Sequence, residues 1–152
     1  MMQKKGKVMA EKIHKDFHGA LSVGFKYLAE KYDKDSLEEY LKICGVNIYR
    51  ELIDNIEKEG LAALERYWNR IFSLEEAEFE IDRKDDREIR LVVSRCPAIS
   101  HMKETGYPVY EDFCLQCRII NKTIAEKTGL ESEVLSEQSK GRCSQIFKRT
   151  KR

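Results

Sequence analysis

The sequence predicts an α+β fold, with N-terminal helices followed by a β-β-α-α-β-β unit that forms a four-stranded antiparallel sheet backed by helices. Three observations predict it. Apolar residues recur at three- and four-residue spacing up to about residue 72, which is the helical period. Strict alternation replaces that spacing between Glu76 and Asp82, the period of a strand with one wet face. Beyond it, glycine, proline and polar breaks cut the chain into segments of strand and helix length.

The first helix is read from Met9, Ile13, Phe17, Ala20, Gly24 and Leu28. The polar break Asp33-Lys34-Asp35-Ser36 ends it, and Ser36 with Glu39 reads as a capping box. A second helix runs through Leu37, Leu41, Cys44, Ile48, Leu52 and Ile56 to Gly60, and a third carries Leu61, Leu64, Trp68, Ile71 and Phe72. Ala77, Phe79 and Ile81 make the first strand, and the charged turn 83–87 leads into a second strand of Ile89, Leu91, Val92 and Val93. Cys96-Pro97 follows. Proline suits the first helical position, so Cys96 sits at the N-cap of a short helix that stops at Gly106. A longer helix is expected from about Val109 to Thr128, ending at Gly129. Two strands near 130–138 and 142–148 close the chain around Ser139-Lys140-Gly141.

The 152 residues suit one domain, with a helical half (1–72) and a sheet-and-helix half (73–149). Such a chain buries roughly 70% of its unfolded surface and needs neither disulfide nor metal merely to fold. With 28 basic and 27 acidic residues, net charge +1, it offers no basic face for nucleic acid. The basic ends (Lys4, Lys5 and Lys7; Lys148, Arg149, Lys151 and Arg152) read as solvated, frayed termini. No run approaches the roughly 18 apolar residues of a membrane span, and no signal-peptide pattern opens the chain. The expectation is a cytoplasmic protein with no membrane or nucleic-acid partner. In a reducing compartment, five cysteines point to thiols, metal ligands or redox groups rather than structural disulfides.

Four of those cysteines are expected to converge. Cys114 and Cys117 are three apart and share a helix face. Cys96 lies at a strand-to-helix junction, and Cys143 just after the last turn. In the predicted topology these places lie at one end of the sheet. Four soft ligands suit zinc or an iron–sulfur cluster. The competing reading is four small buried hydrophobes, and it fits Cys44, which lies in an apolar helix stripe. Cys96 is also the candidate nucleophile, because a helix N-terminus stabilises a thiolate.

The second half, about residues 60–149, carries a family pattern: Cys96-Pro97, Phe113-Cys114, and Gly141, Cys143 and Phe147 in the closing strand. It resembles the L-2-amino-thiazoline-4-carboxylic acid hydrolase-like family and, more distantly, the small vinyl-reductase-type ligand-binding domains. The first resemblance implies hydrolytic opening of a small cyclic amidine-like substrate, with Cys96, Cys114 and Cys143 matching the family's cysteines. Where the family often carries an acidic residue, this chain has Cys117, which shifts the site toward thiolate metal chemistry.

Other residues each admit a plainer role as well. His101, one turn into the helix after Cys96, is a candidate acid/base or a helix-surface histidine. His14 and His18 have i, i+4 spacing but lack the Glu of a zinc-protease helix, so a surface or core pair fits better. Glu111 and Asp112 read as a nearby carboxylate source or as first-turn acids. Tyr107 and Tyr110 read as pocket lining or aromatic packing. Phosphate loops and serine elbows are absent. Two functions follow as expectations. One is a hydrolase-like enzyme with Cys96, Cys114, Cys117 and Cys143 as metal ligands and a small-molecule substrate. The other is a non-enzymatic small-ligand or redox-sensing module with a structural zinc or iron–sulfur site. Helix one, with near-heptad spacing, leaves a homodimer open.

Overall fold

The computed structural model describes residues 14–150. Four helices come first: α1 (Phe17–Lys31), α2 (Lys34–Asn47), α3 (Arg50–Glu59) and α4 (Leu61–Leu74). Then follow β1 (Glu78–Lys84), β2 (Glu88–Arg95), α5 (Pro97–Thr105), α6 (Leu115–Thr128), β3 (Leu130–Glu137) and β4 (Arg142–Arg149). The strands form one antiparallel sheet in the order β1-β2-β4-β3. This is the α+β architecture the sequence predicts.

Several local expectations are corrected. Met9 and Ile13 lie outside the described residues. The buried face of α1 is His18, Ser22 and Phe25, while Phe17 is 42% exposed. The apolar stripe misleads here because two polar residues on the inner face have partners: His18 with Glu75, and Ser22 with Pro108 and Tyr110. Helix α2 starts earlier than the Ser36–Glu39 box implies. Asp33 is the cap, extended in backbone, and its carboxylate accepts the Ser36 N–H at 2.7 Å.

The long second helix is two helices. The chain bends at Ile48 and Tyr49, and Ile48 is 73% exposed rather than part of a stripe. The bend separates two packing tasks. Leu37, Leu41 and Gly45 of α2 are buried on the side packed on α6, whereas Leu52, Ile53 and Ile56 of α3 are buried where it packs on α4. Gly45 is required at its place, because a Cβ there would lie 2.9 Å from the Thr123 side chain. Cys44 is only half-buried on this helix.

Sheet register decides which side chains face inward. Ile89, Leu91 and Val93 of β2 stand opposite Phe147, Gln145 and Cys143 of β4. Those three in turn stand opposite Ser132, Val134 and Ser136 of β3. The inner face therefore carries apolar rows with Cys143 at one end and Phe147 against Trp68 at the other, their ring centroids 5.8 Å apart. The outer face is polar, with Val92 and Leu135 exposed. Lys148 and Arg149 are not frayed. They belong to β4, and Arg149 pairs with Asp86. Among the described residues, no helix is long and apolar enough to cross a membrane.

Candidate functional site

Between the inner sheet face and the helices lies a cavity of about 230 Å³. Phe17, His18 and Leu21 of α1 form one wall, Leu64, Tyr67, Trp68, Ile71 and Phe72 of α4 another, and Tyr49 and Leu52 a third. Cys117, Ile120, Asn121 and Ile124 of α6 face the sheet residues Val93, Val134, Ser136, Cys143 and Gln145 across it. The walls are largely aliphatic, aromatic and thiol.

All four predicted cysteines of the site line this cavity. Backbone and side-chain bonds bring them there. Cys96 ends β2 with extended backbone and caps α5. Its N–H donates to Gly141 O at 2.7 Å, tying the junction to the start of β4, two residues from Cys143. Gly141 holds the turn with φ 64°, a left-handed conformation that suits glycine. Cys114 is the N-cap of α6, which begins at Leu115 rather than near Val109; residues 111–114 form turns instead. Its N–H donates to Gln138 Oε1 at 2.9 Å, and Gln138 Nε2 donates to Tyr110 O at 2.8 Å. One glutamine thus pins the start of α6 to the β3–β4 turn.

Convergence on one cavity is not the same as a ligand cage. Among the described residues, no group of three or more His, Cys, Asp or Glu side chains is arranged to hold a metal ion. As they stand, Cys96, Cys114, Cys117 and Cys143 do not fit zinc or an iron–sulfur cluster.

The electrostatics run against the expected nucleophile. Burial pushes the Cys96 thiol up, outweighing the backbone N–H groups of Ile99 and Ala98 at the helix start that favour its thiolate. The helix start favours the thiolate, but desolvation wins in this cavity. Cys114 is pushed up to about 11, first by burial and then by the neighbouring Cys96. Burial raises Cys117 well above the ordinary thiol range and raises Cys143 as well. All four are therefore thiols at neutral pH.

Each sulfur except that of Cys117 has a donor beside it. The Ala98 and Ile99 N–H groups serve Cys96, the Ser136 side chain serves Cys114, and Gln145 Nε2 lies 3.6 Å from Cys143 Sγ. Asn121 Nδ2 donates to Gln145 Oε1 at 2.7 Å and so fixes which end of that amide faces the sulfur.

His101 is not in the site. Its Nε2 lies 2.9 Å from Asp16 Oδ1 on the surface, and it does not line the cavity. It points toward α1 because Asp16 and Tyr107 hold it there: Tyr107 also donates to Asp16, at 2.9 Å. Tyr107 and Tyr110 do not line the cavity either. Asp112 is occupied by Arg118 and Lys34, and Glu111 is exposed.

What the sequence did not reveal is the histidine that does line the cavity. His14 is exposed, but His18 is buried and its Nε2 lies 2.6 Å from Glu75 Oε1. Its other nitrogen, Nδ1, is buried without a hydrogen-bond partner. Glu75, Asn121, Gln145 and Tyr49 carry no sequence signal either, since each sits alone in sequence and meets its partner only through packing. The signal available was weak: a histidine one turn before Ser22 and two before Phe25 on the inner face of α1.

No protein-family model matches the chain, and no curated protein matches it. Among solved structures it is similar to the Fe(II) unliganded H-NOX protein from K. algicida, at 14% identity and a TM-score of 0.39, covering 84% of this chain and 70% of that one. That is a distant structural neighbour.

Proposed function

We propose that this chain is a small-molecule-binding module whose ligand sits in the thiol-lined cavity. The observation that carries this reading is the cavity itself. Native interiors are packed densely, with few voids larger than a water molecule. A space of about 230 Å³ walled by rings and aliphatic chains is left open here. An apolar cavity of about 150 Å³ suffices to bind benzene, so this one takes a ring with a substituent. Binding stands ahead of catalysis because burial keeps Cys96 protonated and His101 lies outside the cavity. On the hydrolase reading, which rests on the resemblance alone, the base would have to be His18 or Glu75, which line the same cavity and are already paired with each other.

A thermal-unfolding screen with small aromatic and alicyclic compounds tests the reading. A ligand that binds the folded state at 100 times its Kd stabilises it by about 2.7 kcal/mol, so a true ligand raises Tm in a concentration-dependent way. A panel that moves nothing rejects the proposal.

A second reading is favoured by the donors at three of the four sulfurs, since hydrogen bonds to sulfur tune thiolate metal centres. On this reading, side-chain rotation gathers Cys96, Cys114, Cys117 and Cys143 onto zinc. Metal analysis decides it. One zinc per chain, lost in Cys117→Ser, supports it; metal-free protein with freely titrating thiols rejects it.

A further inference from the structure

We propose that the cavity recognises its ligand through one hydroxyl group, hydrogen-bonded to His18 Nδ1, on a compact uncharged ring. The proposal rests on the reading of the cavity as a ligand site and adds the ligand's chemical class.

His18 is 7% exposed and lines the cavity. Its Nε2 is taken by Glu75, and among the described residues Nδ1 is the buried side-chain nitrogen or oxygen left without a partner. Buried polar groups in native proteins are nearly always satisfied, by protein, water or ligand. Three other cavity amides are already engaged: Asn121 with Gln145, Gln145 with Cys143, and Gln138 with Tyr110 and the Cys114 N–H. Among the fully buried side-chain nitrogens and oxygens of the described residues, Nδ1 is therefore the one left open to a ligand's polar group.

The chemistry at that nitrogen is narrow. When Nε2–H donates to Glu75, Nδ1 presents a lone pair; when the ring is doubly protonated, Nδ1 presents an N–H. A hydroxyl meets both states, because it donates and accepts. A carbonyl meets only the second. A carboxylate would share the histidine with Glu75 and suffer like-charge repulsion, and an ammonium would lose its hydration among apolar walls. The flanking rings, Phe17 at 4.0 Å and Phe113 at 6.5 Å between centroids, favour a flat or compact ring.

Phenol and toluene have nearly the same shape and differ in the group that would meet Nδ1. The full chain is titrated with each, together with benzoate, by the emission of Trp68, its one tryptophan, which lines the cavity. The expected result is at least tenfold tighter binding of phenol than of toluene, no binding of benzoate, and a shift of the His18 Nδ1 resonance in ¹⁵N spectra with phenol alone. His18→Phe combined with Glu75→Leu removes both partners together, which spares a lone buried carboxylate. This variant should lose the preference for phenol over toluene. Equal binding of phenol and toluene by the wild type overturns the hydroxyl assignment and leaves the cavity reading standing. Binding of neither overturns both.

Discussion

At the residue scale, the thiols set the chemistry available to the cavity. Burial opposes the charged form of each thiol, pushing Cys114 up to about 11 and raising Cys117 well above its ordinary value. Alkylation of Cys114 by iodoacetamide in the native protein should accelerate toward pH 11, whereas the denatured chain should react from about pH 9. A plateau by pH 9 in the native protein would contradict the burial of this thiol. The linkage has a definite sign. Raised folded-state values mean that the native state holds its protons longer than the unfolded one. Stability is therefore fully present below the ordinary thiol value and is lost as pH rises from there toward the folded-state values. The buried amide pair has its own consequence. Asn121→Ala strands Gln145 Oε1, which accepts from Asn121 at 2.7 Å, and an unmade buried hydrogen bond costs about 1–3 kcal/mol. Urea unfolding should show the loss with an unchanged m-value.

The same scale explains which site residues were legible. Cysteine is rare and chemically marked, so Cys96, Cys114, Cys117 and Cys143 could be grouped from topology alone, and all four line the cavity. Their ionisation could not be read, because it depends on desolvation and the sequence shows only the helix start at Pro97. His101 was misplaced for a similar reason. Its helical position was right, but Asp16, 85 positions away, decides where the ring points.

At the element scale, the strands and the proline and glycine helix ends were the clearest. The alternation of β1, the Cys96-Pro97 start of α5 and the glycine ends of α5 and α6 at Gly106 and Gly129 all act within a few residues. The division of the second helix into α2 and α3 was not readable. No proline or glycine marks Ile48 and Tyr49, and the bend answers to two different neighbours, α6 and α4. Gly45→Leu tests that packing. The added side chain meets Thr123 of α6, and overpacking typically costs about 1–3 kcal/mol. Thermal unfolding should show a lowered Tm, and Gly45→Leu with Thr123→Ala should recover part of it. No recovery would mean that α2 and α6 do not meet through this pair.

At the scale of the whole molecule, the sheet and helices enclose more space than their packing requires. The fold class was legible because periodicity and breaks order the elements. The cavity was not, since a void is a property of side chains drawn from α1, α3, α4, α6 and the sheet together. That void carries the central claim, and the most direct measurement is the emission of Trp68 titrated with toluene in the wild type and in Val93→Phe. Val93 lies on the cavity's sheet wall beside its cross-strand partner Cys143, so a phenyl ring there occupies the space. The account predicts a saturable change in the wild type and none in the folded variant. A flat titration in the wild type, or an unchanged titration in Val93→Phe, would contradict it.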